Sequence, residues 1–163
     1  MELLKAIHDS DFAKASKLIE KTSLKEKLPN GESIIVQAIH QVPIEKHFVY
    51  DLIRKGADPN LKDAVYKEYP LHAIIKLYPH GSDASPVLEN LLTHGANPEL
   101  TNDEGDTALH VAAKSGCAFA CAKLIEAGAN PNARNKNKKT PIDLAQDVLT
   151  QTALKQAIAN TNS

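Results

Sequence analysis

The residues of this chain best placed for chemistry lie in one twelve-residue run, "GDTALHVAAKSG" (105–116), where Asp106, Thr107 and His110 fall within five positions. An imidazole beside a hydroxyl and a carboxylate is the raw material of acid–base or nucleophilic catalysis. Two thiols follow directly, Cys117 and Cys121 in "CAFAC". On a helix that spacing puts both on one face without aiming their Cβ atoms at each other as a disulfide requires, so reduced thiols are expected. Cys121 reads as a small apolar residue, whereas Cys117, near the start of the helix, would feel a dipole that lowers the pKa of a thiol. The remaining histidines are His8, His40, His47, His72, His80 and His94, and no two stand four apart with a Glu between them, the spacing of a helical zinc site. A nucleophile elbow GxSxG, a phosphate-cradling GxxxxGK[ST] and a dinucleotide-binding GxGxxG are likewise missing from the sequence. No catalytic residue, metal site or cofactor is therefore expected.

The elements that would position these residues follow from self-comparison, because a fixed period decides the fold before any motif does. "LLTHGANPEL" (91–100) and "LIEAGANPNA" (124–133) align at a shift of 33, and "LIRKGADPNL" (52–61) precedes the first of them by 39. Upstream of these boxes stand "GESIIVQAI" (31–39), "EYPLHAIIK" (68–76) and "GDTALHVAAK" (105–114), with "KKTPIDLAQ" (138–146) following the last. Each unit reads as a turn, a helix, a second helix and a glycine stop. Gly56, Gly95 and Gly128 fit the position after a helix that must take positive φ, and Pro59, Pro98 and Pro131 keep the helix from resuming. Neither helix of a unit can bury both faces alone, so Leu71, Ile74, Leu91, Leu92, Leu109, Ala112, Ala113, Leu124 and Ile125 must pack between successive units. A chain of 163 residues with few aromatics and many Ala, Leu and Ile suits such thin helical layers.

With "TALHVAAKSG", "PLHAI", "TPIDLA" and three Gly-Ala-Asp/Asn-Pro boxes in view, the chain resembles the ankyrin-repeat family, whose unit joins a β-turn finger to two antiparallel helices around a Thr-Pro-Leu-His-x-Ala signature. The resemblance covers essentially the whole chain. It implies an all-α solenoid of stacked helix-turn-helix units with β-turn fingers, divided into an N-terminal cap (1–29), internal repeats at 30–62, 63–102 and 103–135, and a C-terminal cap (136–163). It also implies a structural duty for Thr107 and His110. Thr107 would cap its helix, and His110 and its counterpart His72 would tie helix starts and neighbouring repeats by hydrogen bonds. Val36 and Asp143 replace this histidine in the flanking units, a substitution pattern tolerable for bracing and awkward for catalysis.

Function is then expected at exposed positions where the chain departs from its own repeat, since such stacks bind proteins on a concave face and on their fingers. In "LKDAVYKEYPLH" (61–72) the finger reads as longer by about two residues and lacks the turn glycine. It carries Tyr66 and Tyr69, a residue type enriched at interface hot spots. "LYPHGSDASPVLEN" (77–90) reads as a roughly five-residue insertion, with a smaller one at "HQVPIEKH" (40–47). One fingertip is acidic, with Asp103, Glu104 and Asp106, and the next, "RNKNKK" (134–139), is basic. On the concave side His40, Gln41, Lys76, Leu77, Lys114 and Ser115 are expected to face a partner, with Leu77 the side chain whose truncation costs most.

These features point to a non-catalytic, monomeric interaction module with another protein as its partner. The balance of 19 basic and 20 acidic residues argues against nucleic acid, and no apolar run is long enough for membrane insertion. "MELLKAIHDSD" lacks the pattern of a secretory signal, so a cytoplasmic setting is expected. Irregular repeats of this kind resemble those of bacterial effectors that act on a host protein in host cytoplasm; a eukaryotic inhibitor or adaptor is the alternative setting. A further reading has the stack itself modified, because family members carry an asparagine eight residues after the helix leucine, here Asn60 and Asn132, that asparaginyl hydroxylases can oxidise.

Overall fold

A computed structural model of the protein describes residues 2–24, 28, 30–79 and 85–161. His80 and residues 81–84 of the inserted loop at 77–87 lie outside the described residues. The helices are α1 (Glu2–His8), α2 (Phe12–Ile19), α3 (Ile34–Ile39), α4 (Lys46–Arg54), α5 (Pro70–Leu77), α6 (Ser85–Thr93), α7 (Ala108–Lys114), α8 (Ala118–Glu126), α9 (Pro141–Leu144) and α10 (Val148–Thr161). Most are shorter than the roughly 12–15 residues at which an isolated helix becomes even marginally stable, so packing must supply their stability. Consecutive helices pair, odd with even, and the pairs stack in chain order. The odd helices form an inner layer and the even helices an outer one, each touching the equivalent helix of the next pair.

The stacking face is the apolar stripe read from the sequence. Ile7, Ile35, Ile39, Ile74 and Leu109 from the inner layer and Val49, Leu52, Leu91, Leu124 and Leu154 from the outer layer are fully buried in one continuous core. Ala38, Ala73, Ala112 and Ala113, also buried, keep the inner helices thin enough to approach closely. Gly56, Gly95 and Gly128 close the outer helices at φ values of 91°, 87° and 91°, where a Cβ would be strained.

The Asp/Asn of each Gly-Ala-Asp/Asn-Pro box has a local task. Asp58, Asn97 and Asn130 each accept, through Oδ1, the backbone N–H two residues on, in an Asx-turn. The residue donating that N–H then reaches the next unit. Asn60 accepts from the Asn97 N–H at 2.7 Å and donates to the Gly95 carbonyl at 2.9 Å, and Glu99 accepts from the Asn130 N–H at 2.9 Å. The fingers repeat the device: Asp63, Asn102 and Asn135 each take two backbone N–H groups of their own turn.

One expectation about the fingers is corrected. The finger that closes from Asp63 N–H to the Glu68 carbonyl is longer by one residue, not two, than those closing from Asn102 to Asp106 and from Asn135 to Lys139. Its missing glycine is replaced by Lys67 itself, which takes φ 58° where Gly105 has 78° and Lys138 has 60°. Among the described residues no helix is long and apolar enough to cross a membrane.

Candidate functional site

Thr107 precedes α7 with extended backbone, and His110 sits three residues on. His110 Nε2 lies 3.0 Å from the Lys139 carbonyl and must donate to it, which leaves Nδ1 as an acceptor. That nitrogen takes both the Thr107 N–H at 3.2 Å and the Thr107 hydroxyl at 2.9 Å. The imidazole is thus fully occupied, buried, and engaged with the next finger. His72 donates in the same way to the Asp106 carbonyl at 2.9 Å.

The flanking substitutions fit the same scheme. In the first repeat, where Val36 replaces histidine, the neighbouring Gln37 donates instead to Asp63 Oδ2 at 3.0 Å. In the last, Asp143 accepts from the Thr140 N–H and hydroxyl, as His110 Nδ1 does for Thr107, and these bonds hold its carboxyl below the usual carboxylate range. As a carboxylate it has no hydrogen with which to repeat the donation that His110 Nε2 makes to the next finger.

Between the second and third fingers the concave face opens into a cavity of about 500 Å³. Its lining brings together Tyr66, Lys76, Asp103, Glu104, Asp106 and Lys114, with Ser115 and Val111 beside them. α5 and α7 supply the floor and the fingers the walls. Two expected residues lie elsewhere. Leu77, 37% exposed at the last position of α5, is not among the lining residues, although Ser115, its counterpart one repeat on, is. Tyr69 is half-buried in the N-cap place of α5, its ring 5.7 Å from the His72 ring and under the Lys62 ammonium at 5.9 Å.

Several polar residues expected to face a partner are occupied by their own stack. Asp106 is only 6% exposed and accepts from Asn135 Nδ2 at 2.6 Å, since the next finger closes over it. His40 lies beneath Tyr66, the two rings nearly parallel with centroids 3.5 Å apart, and bonds Glu68 at 2.7 Å. Tyr66 keeps its other side free and is 40% exposed, so it forms a stiff wall. The acidic and basic fingertips face each other, Lys136 Nζ donating to the Asp103 carbonyl at 2.8 Å and the Lys136 N–H to the Glu104 carbonyl at 3.2 Å, while from the preceding finger Lys62 binds the Asp103 carboxylate at 2.5 Å. The Lys62 ammonium holds the Asp103 carboxyl below its usual range.

The decisive residues missed in the sequence are Glu68 and Asp63. Glu68 is buried, bridging His40 and, at 3.3 Å, Lys76. Asp63 is buried with four donors: the Ser33 N–H and Gln37 amide on one oxygen, the Val65 and Tyr66 N–H groups on the other. Both could have been found by aligning the fingers, where Asp63, Asn102 and Asn135 share one place and Glu68 and Asp106 another.

The thiols need one correction. Cys117 does precede α8, but burial dominates there and pushes its thiol up, against the expected lowering. Cys121 is buried and pushed up to about 12. Both are reduced. Among the described residues no three His, Cys, Asp or Glu side chains converge as metal ligands.

Of the repeat asparagines, Asn60 has both amide atoms engaged, whereas Asn132 is exposed and lies beyond the last Gly-Ala-Asn-Pro box that such an amide could bridge.

A family model described as ankyrin repeats (3 copies) matches residues 35–135 and 80–163. The human "SH3 and multiple ankyrin repeat domains protein 2" is 29% identical over 132 residues, covering 81% of this chain and 6% of that protein. Mouse Rabankyrin-5 is 30% identical over 122 residues, covering 71% of this chain and 10% of its own length. Bovine "Protein fem-1 homolog A" is 40% identical over 73 residues, 44% of this chain and 11% of that protein. The chain thus spans about a tenth or less of each of these relatives.

Proposed function

Because this chain belongs to the ankyrin-repeat family, whose repeats generally mediate protein–protein interaction, we propose that it is a non-catalytic module gripping a segment of another protein in the cavity between its second and third fingers. The observation that supports this most is the gathering of Tyr66, Lys76, Glu104 and Lys114, drawn from two fingers and two helices, around one concave space. Its volume of about 500 Å³ is that of a recognition pocket. Tyr66 offers aromatic area stiffened by the His40 ring behind it, which limits the ordering entropy lost on association. The stack's own hydrogen bonds account for Thr107, His110 and Asp106, the residues that otherwise suggest catalysis.

Affinity capture from cell lysate with the protein and its Tyr66→Ala/Lys114→Glu variant tests the reading. The double variant loses the specifically captured protein; full retention moves the site off this cavity. The reading as a substrate of asparaginyl hydroxylation rests on Asn132, whose side chain is exposed, and not on Asn60, whose amide is held at both ends. Intact-mass measurement after exposure to such an enzyme gains one oxygen at Asn132 if that reading holds and none if it fails.

A further inference from the structure

From the division of charge inside the concave cavity we infer that its occupant is an acidic segment of the partner protein, an extended run carrying Asp or Glu next to an apolar side chain. This rests on the proposal that the cavity binds a protein. The lining holds three lysines, Lys67, Lys76 and Lys114, and four carboxylates, Glu68, Asp103, Glu104 and Asp106. Counted by sign alone they nearly cancel, but they differ in what else they touch. Glu68 is held by His40 and Lys76, Asp103 by Lys62, Glu104 by the Asn102 amide at 2.8 Å, and Asp106 by Asn135. Each acid already has a donor from its own chain. The ammonium groups of Lys67 and Lys114 are exposed and, among the described residues, make neither a hydrogen bond nor an ion pair; Lys67 acts on Asp103 only through its more distant charge.

The two ammonium groups approach from different sides, Lys67 from the second finger and Lys114 from the end of α7 on the floor. A carboxylate entering the cavity gains charge-assisted hydrogen bonds without breaking one already made. A basic segment would instead compete with Lys62 and Asn135 for Asp103 and Asp106, and would find only Glu104, whose Asn102 donor is neutral, still uncompensated in charge. The apolar requirement comes from Tyr66, backed by His40, and from half-buried Val111 beside Lys114. Complementary charge of this kind acts mainly on the rate of encounter and on partner choice, and it weakens as salt is added.

The test is a random-peptide display selection on the immobilised full chain, repeated with Lys67→Glu/Lys114→Glu, with Glu104→Lys and with Tyr66→Ala. All these side chains are exposed, and circular dichroism confirms that each variant keeps its fold. The protein enriches Asp- and Glu-containing peptides. The lysine double variant lowers their affinity about tenfold or more, as reversing two close charges should, whereas Glu104→Lys leaves it unchanged or raises it. A synthetic enriched peptide binds more weakly at 0.5 M than at 0.05 M sodium chloride. Neutral or basic peptides that still depend on Tyr66 would overturn the inference while leaving the cavity as the binding site. Peptides indifferent to Tyr66 and to both lysines would overturn both readings. A single-stranded oligonucleotide or inorganic phosphate that displaces the peptide at lower concentration than free glutamate peptide would reassign the lysines to a phosphate ligand and sink the inference.

Discussion

At the scale of single residues, the chain shows how one hydroxyl decides whether a buried histidine is satisfied. His110 has Thr107 on its Nδ1, but His72 faces Tyr69 in the equivalent place, and its buried Nδ1 has no partner among the described residues. Tyr69→Thr should supply that hydroxyl and raise stability by about 1 kcal/mol, the usual net worth of such a bond; urea denaturation that finds no gain would mean the nitrogen is satisfied otherwise. Burial also pushes His72 below the usual imidazole range. The unfolded chain therefore binds a proton near pH 6.5 that the fold refuses. This contribution to stability is complete above that pH and declines as pH falls below it towards the folded value. His72→Gln should remove this part of the acid-side slope in thermal melts at pH 7.5, 6.5 and 5.5, and an unchanged slope would assign it to other groups.

The element that matters most is the finger, because it both closes a turn and caps the unit before it. Asp63 carries this double load for the second finger, taking two donors from its own turn and two from the first repeat. Asp63→Ala leaves those buried donors unpaired and should cost about 2 kcal/mol or more, readable as a lowered denaturation midpoint. The third internal unit's following finger offers the opposite change. Lys138 holds φ 60°, a conformation that penalises any side chain. Lys138→Gly should therefore stabilise by about 1 kcal/mol, and a loss in the melting temperature would show that the lysine side chain earns its strained backbone elsewhere.

For the whole molecule, stability is a sum over neighbouring layers. The α3–α4, α5–α6 and α7–α8 pairs are covered on both sides, while α1–α2 and α9–α10 each have one neighbour. Amide hydrogen exchange should accordingly be slowest in α3 to α8 and faster in α1–α2 and α9–α10. Leu91, fully buried in α6, should cost about 2–5 kcal/mol when changed to Ala. Uniform protection along the chain would replace this layered picture with a single all-or-none unit.

The period, the pairing of helices, the glycine stops and the core residues were all legible in the sequence, because each depends on local periodicity repeated every 33 residues or so. The bracing role of Thr107 and His110 came instead from what the resemblance to the ankyrin-repeat family implies. What only the tertiary structure decided was which polar residues remain for a partner. Asp106 and His40 look like Lys114 and Tyr66 in a sequence, all polar positions near a fingertip or helix end. Their partners lie 26 to 29 residues away, in Asn135 for Asp106 and in Tyr66 and Glu68 for His40. Whether such a side chain is buried follows from how closely one layer settles on the next, a distance set by the packing of Ala and Ile between helices and written in no single repeat.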